Sequence, residues 1–148
     1  MTAPVFVDTN VLVYARDAGA GQKQAAAHRW MEELWRSRQG RLSFQVLQEF
    51  YVTVTAKLKP ALALEAARRD VGGLATWRPV PLDLAVIEGG WLVQDRFGLS
   101  FWDALIVSSA QAAECGYLLS EDFQDGQDFG GVRVVSPFGT RQPADILG

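Results

Sequence analysis

Short apolar runs alternate along this chain with longer segments in which apolar residues recur every three or four positions. Three of the runs, Val5–Val7, Tyr117–Leu119 and Val132–Val135, are almost entirely apolar, and a fourth covers residues 41–43. Runs of this kind are typical of strands that are buried on both faces, as in parallel sheets covered by helices. We therefore predict short strands in a covered sheet.

The segments between these runs have the period of amphipathic helices. In residues 22–38, for example, Ala26, Trp30 and Leu34 repeat at intervals of four, with charged residues between them. Ser43 and Asp83 are suited to begin helices, because their side chains can accept hydrogen bonds from the first turn. The predicted helices cover residues 11–15, 22–38, 44–58, 62–77, 84–97 and 101–116, and residues 78–82, with two prolines, are predicted to be extended.

This alternation of strands and helices predicts an α/β fold, a three-layer α/β/α sandwich around a short and mainly parallel sheet. A chain of 148 residues is long enough to bury a hydrophobic core of its own. We find no internal repeat and no domain boundary, so we predict a single domain over residues 1–148. The tail after about residue 138 is expected to be loosely ordered.

Composition and charge exclude several classes of protein. The net charge is −3, whereas proteins that bind nucleic acid through their overall charge are usually basic. Cys115 is the single cysteine, so no intramolecular disulfide can form, and we expect a cytoplasmic protein. No apolar run is long enough to predict a membrane span. An RNA substrate stays possible, because a cluster of acidic residues itself lowers the net charge until cations bind.

Acidic residues follow the predicted strands at one edge of the sheet. Asp8 and Asp122 come directly after strands, and Asp103 lies in the first turn of a helix. Glu49 lies about two turns into the helix that follows the second strand, next to core candidates. Because ligands of parallel sheets bind beyond the carboxyl ends of the strands, we expect these four carboxylates to converge there.

Four converging carboxylates require a neutralising partner. Two unit charges about 4 Å apart repel by roughly 4 kcal/mol at an effective dielectric constant of 20. No lysine or histidine lies beside any of the four acids in the sequence. Mg²⁺ or Mn²⁺ would resolve the repulsion, because these ions prefer oxygen ligands. With one histidine and one cysteine, the chain offers too few ligands for zinc.

Each acid taken alone also has a purely structural interpretation. Asp8 could form an Asx turn, and Asp122 could form a turn before Gly126. Asp103 could stabilise the N-terminus of its helix, and Glu49 could be a solvated helical charge. The order and spacing of the four acids together favour the site over these separate interpretations. His28, with Arg29 and Glu32 on its helical face, is interpreted as a surface residue.

Four segments of the chain together resemble the PIN-domain nucleases, and specifically the VapC toxins of bacterial toxin–antitoxin pairs. They are Val-Asp-Thr-Asn-Val-Leu-Val-Tyr at residues 7–14, Ser-Phe-Gln-Val-Leu-Gln-Glu-Phe at 43–50, Ser-Phe-Trp-Asp-Ala-Leu-Ile at 100–106 and Leu-Leu-Ser-Glu-Asp-Phe-Gln-Asp-Gly at 118–126. Each segment is a weak signal alone, whereas four in this order are specific. The resemblance extends from Val5 to about Phe138.

The resemblance implies a PIN-like fold and assigns roles to residues of the site. It implies that Asp8 and Asp103 bind metal, with Glu49 and Asp122 completing the acidic pocket. It also implies that three polar residues position ligands or water by hydrogen bonding, namely Thr9, Asn10 and Ser120. Glu121 and Asp125 are alternatives to Asp122. Because successive side chains of a strand alternate in direction, Glu121 is expected to point away from the side on which Asp122 lies.

The activity implied by the resemblance is Mg²⁺- or Mn²⁺-dependent hydrolysis of RNA phosphodiester bonds by the toxin of a type II toxin–antitoxin system. It further implies a homodimer and a small antitoxin whose peptide enters the pocket, where an arginine would displace metal. One alternative is a catalytically silent PIN-fold interaction module. A phosphatase of the haloacid-dehalogenase type is weaker, because it needs a second aspartate where this chain has Asn10.

Overall fold

Five short strands form one sheet in the computed structural model, which describes residues 3–148. The strands are β1 (Val5–Val7), β2 (Gly40–Arg41), β3 (Tyr117–Leu119), β4 (Asp128–Phe129) and β5 (Val132–Val135), and their order across the sheet is β2-β1-β3-β5-β4. Strands β2, β1, β3 and β5 run parallel to one another, and the edge strand β4 pairs antiparallel with β5. The prediction of a mainly parallel α/β sheet is confirmed.

Helices cover both faces of this sheet. They are α1 (Thr9–Arg16), α2 (Gln22–Ser37), α3 (Phe44–Val52), α4 (Leu64–Leu74), α5 (Leu84–Phe97), α6 (Phe101–Ala112) and α7 (Pro143–Ile146), with a π-helical turn at Thr53–Lys57 and a 3₁₀ turn at Ala75–Trp77. Successive side chains of a strand point to opposite faces. Val5, Phe6 and Val7 are nevertheless all fully buried, so neither face of the central strand meets solvent.

Local sequence signals begin and end several helices as predicted. The Ser43 hydroxyl accepts a hydrogen bond from the amide of Val46 at 3.2 Å, and the Asp83 carboxylate accepts one from Val86 at 3.0 Å. Gly98 ends α5 in the left-handed conformation, with φ of 68°, which glycine adopts without steric cost. These caps fix where α3 and α5 start and where α5 stops.

Other boundaries differ from the prediction. Strand β2 ends at Arg41, and Ser43 forms only an isolated bridge with Val80, because Ser43 already caps α3. Helix α6 ends at Ala112 rather than near Gly116. Strand β4 was not predicted. Its turn to β5 is Gly130-Gly131, with φ of 62° and 101°, a glycine pair that favours tight hairpins.

The chain termini add two observations. We expected loose order after residue 138, but the structure forms α7 there, with Pro143 and Ile146 buried. The predicted domain begins at Met1, and residues 1–2 lie outside the described residues. Within residues 3–148, no helix combines the length and the apolar character that a bilayer crossing needs.

The edge strand β2 packs closely against an aromatic ring. A Cβ atom on Gly40 would lie only 2.3–2.7 Å from three ring carbons of Trp77. Trp77 in turn meets Trp35 of α2 in an edge-to-face arrangement, with ring centroids 4.9 Å apart. Glycine at position 40 therefore allows the segment after α4 to lie directly on β2.

Candidate active site

Asp8 lies at the carboxyl end of the central strand β1 and caps α1. Its side chain is buried, with 5% of the residue exposed. One carboxylate oxygen accepts a hydrogen bond from the Thr9 amide at 2.8 Å. The other accepts from the Ser120 hydroxyl at 2.7 Å and from the Asn10 side-chain amide at 3.3 Å. Neutral groups alone therefore hold both oxygens of this buried acid.

Asn10 and Ser120 connect Asp8 to Asp122. The amide nitrogen of Asn10 lies 3.2 Å from a carboxylate oxygen of Asp122, and its carbonyl oxygen accepts a hydrogen bond from the Glu121 backbone at 3.1 Å. The Ser120 hydroxyl oxygen accepts one from the Asp122 backbone at 3.0 Å. The parallel pairing of β1 with β3 brings these groups together, because both strands end at the same edge of the sheet.

Glu49 joins the same network from α3. The Thr9 hydroxyl donates to one of its carboxylate oxygens at 3.2 Å, and the side-chain amide of Gln45 donates to the other at 2.8 Å. Gln45 is buried, with 5% of the residue exposed. Its role was missed from the sequence, although its spacing of four residues before Glu49 is the spacing at which helical side chains meet.

Asp103 lies in the first turn of α6, outside the hydrogen-bonded network. Its backbone amide donates to the Ser100 hydroxyl at 3.2 Å, and its carboxylate accepts no hydrogen bond from any group in residues 3–148. The connection is indirect, through Gln45, whose amide also lies 3.5 Å from the backbone carbonyl of Trp102. The structure thus joins Asp8, Glu49 and Asp122 by hydrogen bonds and leaves Asp103 outside this network.

The two alternatives to Asp122 have other partners. Glu121 forms an ion pair with Lys23 of α2. Asp125 accepts a hydrogen bond from the Ser136 backbone at 2.9 Å. Asp122 is therefore the acid of this loop that Asn10 connects to Asp8.

The acidic cluster carries uncompensated negative charge. The pKa of Asp8 is raised to about 7, mainly by burial and to a smaller extent by the nearby charges of Asp122 and Glu49, against hydrogen bonds from Ser120 and Thr9 that lower it. No ion pair formed within residues 3–148 includes any of the four predicted acids. The raised pKa means that the ionised form of Asp8 is disfavoured in this site until a cation binds.

Oxygen atoms are the only side-chain ligands that this site offers. Carboxylates suit Mg²⁺ or Mn²⁺, which commonly keep several water ligands and need few from the protein. In the described part of the chain, no three His, Cys, Asp or Glu side chains stand close enough to enclose an ion. The donor chemistry fits a hard cation, in an open arrangement rather than a closed cage.

Comparison with known proteins identifies the family. Residues 5–124 match the family model of the PIN domain. The chain belongs to the PIN domain family. A comparison with curated protein sequences gave no significant match.

Two solved structures are similar to this PIN domain in fold. One is a toxin–antitoxin complex from Klebsiella pneumoniae, with a TM-score of 0.67 and 20% identity over 92% of this chain and 99% of that chain. The other is the Mycobacterium tuberculosis toxin VapC20, described as cleaving the sarcin-ricin loop, with a TM-score of 0.58 and 20% identity over 87% of this chain and 98% of that one. At this identity the likeness concerns the fold.

The raised pKa of Asp8 should make folding stability depend on pH. The folded state binds a proton with a pKa of about 7, against 3.8 for an ordinary aspartate, so the stability that this proton provides is lost as the pH rises through 7. We expect the free energy of unfolding without metal to fall by roughly 1–3 kcal/mol between about pH 5 and pH 8. Urea unfolding in the presence of a chelator measures this.

The matched control is Asp8→Asn, which keeps the shape of the side chain and removes its titration. As the pH rises, the unfolding free energy of the wild type should fall relative to that of the variant. Parallel pH profiles for the two proteins would contradict the assignment of the raised pKa to Asp8.

Proposed function

We propose that this chain is a metal-dependent endoribonuclease and the toxin of a type II toxin–antitoxin pair. The observation that carries the proposal is the network joining Asp8, Glu49 and Asp122 at the carboxyl edge of a PIN-domain sheet, held by neutral donors only. A group of acids with no basic partner is unstable by itself and is suited to a bound cation. Membership of the PIN domain family supports the same conclusion.

The four acids Asp8, Glu49, Asp103 and Asp122 are the residues that would hold the ion, Mg²⁺ or Mn²⁺. When bound, such an ion lowers the pKa of a water molecule and stabilises negative charge on a phosphoryl oxygen. The chain itself supplies the orientation of the acids. Ser120 and Asn10 fix the Asp8 carboxylate through its second oxygen, and Thr9 fixes Glu49.

RNA is the substrate class that we propose, on the strength of the family and of the fold shared with VapC20, a toxin described as cleaving the sarcin-ricin loop. The Klebsiella pneumoniae structure is a toxin–antitoxin complex, which supports an antitoxin partner here as well. An antitoxin arginine entering the pocket would neutralise the carboxylates as a charge-assisted pair.

A homodimer is the assembly that we propose, in the cytoplasm. Several large apolar side chains on α5 and at the start of α6 are exposed to solvent, with exposed fractions of 64% for Leu84, 72% for Leu92 and 67% for Trp102. Large apolar side chains with this much exposed surface gain free energy when another protein surface covers them. A second copy of the chain would provide that surface.

The second candidate is a catalytically silent interaction module. The position of Asp103 outside the network and the lack of a closed three-ligand cage within residues 3–148 favour it. In that case the acids would stabilise the fold and contribute to a surface that binds a partner, and the protein would not cleave RNA.

RNA cleavage by the purified full chain distinguishes these candidates. We expect an end-labelled RNA to be cut in Mn²⁺ or Mg²⁺, and cleavage to fall at least about a hundredfold when a chelator removes the metal, because the acids alone cannot activate water. Cleavage is followed on a denaturing gel. Intact RNA in both metals, across structured and unstructured substrates, would reject the nuclease and favour the silent module.

A further inference from the structure

Three arginines surround one cavity at the edge of the sheet, away from the acidic cluster. The cavity has a volume of about 510 Å³. Its lining consists of Trp35, Arg38, Gly40, Arg41, Thr76, Trp77 and Arg78. We call it the arginine cavity. No acidic side chain lines it, so its three positive charges have no counterpart within the cavity.

Within residues 3–148, four of the other basic residues form ion pairs on the surface. Arg16 pairs with Asp70, Arg36 with Glu33, Lys23 with Glu121 and Arg133 with Asp128. In the described part of the chain, none of the three cavity arginines takes part in an ion pair. In a protein with a net charge of −3, three unpaired arginines around one cavity indicate an anionic ligand.

The backbone at two of these arginines is strained. Arg38 has φ of 59° and Arg78 has φ of 57°, both in the left-handed region that non-glycine residues rarely adopt. Both residues are the caps that end helical segments, Arg38 after α2 and Arg78 after the 3₁₀ turn, so the two helix ends place these arginines at the cavity. One guanidinium nitrogen of Arg41 donates hydrogen bonds to the carbonyls of Arg38 and Gly40, at 3.2 and 2.8 Å. These bonds anchor its side chain at the cavity.

An aromatic ring stands beside the positive charges. Trp35 is 46% exposed, and its ring meets that of Trp77 edge to face, so it is supported from within the protein. Single-stranded nucleic acids bind surfaces where arginines contact phosphates and exposed aromatic rings stack on bases. The arginine cavity combines both elements.

The arginine cavity lies toward the amino end of the sheet, whereas the acids lie at the carboxyl end. Arg41 lies opposite Phe6 on the neighbouring strand, two residues before Asp8, and its guanidinium turns back to the carbonyls of Arg38 and Gly40. An RNA strand bound at both sites would therefore run along the protein surface from one edge of the sheet to the other.

We propose that the arginine cavity binds the phosphate backbone of single-stranded RNA, with a base stacked on Trp35. The inference rests on the proposed function for the identity of the substrate and adds to it a second contact outside the acidic cluster. It explains how an acidic protein attracts RNA, because the local charge at the cavity is positive while the overall charge is negative.

Binding without cleavage tests this proposal. The protein is the full chain carrying Asp8→Asn, and the probe is a short fluorescein-labelled single-stranded RNA followed by fluorescence anisotropy. One variant combines Arg38→Gln, Arg41→Gln and Arg78→Gln. Glutamine removes the charge of each arginine and keeps an unbranched polar side chain. We expect the affinity for RNA to fall at least about tenfold. The slope of log K against log salt concentration should become shallower by about two, because three phosphate contacts are lost.

The single substitution Trp35→Leu should weaken RNA binding at least about fivefold, because it removes the ring on which a base would stack.

The matched control combines Arg29→Gln, Arg68→Gln and Arg69→Gln, which change the net charge equally at exposed positions outside the cavity that form no ion pair in the described part of the chain. It should bind RNA within about threefold of the parent. Equal losses in the two triple variants, with both proteins folded by circular dichroism, would overturn the proposal. A separate cleavage assay of the wild type distinguishes a failure of this proposal from a failure of the proposed function. If the wild type cleaves RNA but the cavity variant binds RNA as well as its parent, the cavity proposal is rejected and the nuclease proposal stands.

Discussion

Replacing Asp8 by asparagine should lower metal-dependent RNA cleavage at least about a thousandfold. The amide keeps the size of the side chain but cannot carry the negative charge that a cation requires. Asp8 is also the acid that the network surrounds most completely, since its carboxylate accepts hydrogen bonds from Thr9, Asn10 and Ser120. Initial cleavage rates of an end-labelled RNA in Mn²⁺ measure the effect.

Asp125→Asn is the control for this experiment. Asp125 lies three residues after Asp122, but its carboxylate accepts a hydrogen bond from the Ser136 backbone, which an asparagine oxygen can also accept. Cleavage by this variant should stay within about threefold of the wild type. If Asp8→Asn cleaved RNA at more than about a tenth of the wild-type rate while remaining folded, Asp8 would not belong to the catalytic centre.

Gly40→Ala should destabilise the protein by about 1–3 kcal/mol. The added methyl group would lie 2.3 Å from a ring carbon of Trp77, and moving the ring away would disturb its edge-to-face contact with Trp35. Chemical denaturation followed by tryptophan fluorescence measures the change.

Gly72→Ala is the matched substitution. Gly72 lies in α4, and a Cβ there would meet no atom within 4 Å. Alanine favours helix over glycine by up to about 1 kcal/mol, so this variant should be as stable as the wild type or more stable. Equal stability of the two variants would mean that Trp77 does not rest on β2 as described.

Local signals were sufficient to predict most of the fold. The strand Val5–Val7 is apolar at every position and stops at Asp8, and Ser43 begins α3 through a hydrogen bond to its own first turn. Such features depend on neighbours within a few residues. The edge on which Asp8 and Asp122 meet could also be predicted, because parallel strands present their carboxyl ends together.

Features that depend on packing between distant segments could not be predicted. The orientation of α6 relative to α3 determines whether Asp103 reaches the network, and no residue pattern within either helix encodes it. Gln45 connects the two helices through Glu49 and the Trp102 carbonyl, a role visible only once both are in place. The partner of Glu121 is likewise Lys23, distant in sequence.

The pairing of β1 with β3 has a consequence for synthesis of the protein. Asp8 precedes by 112 residues the Ser120 hydroxyl that holds its carboxylate. The proposed catalytic centre cannot assemble on the ribosome until β3 has emerged and docked beside β1, since contacts between distant segments form only when both are available. A nascent chain that has not yet reached Ser120 therefore lacks the proposed centre, and the proposed cleavage of RNA has to wait until β3 has been made and has folded.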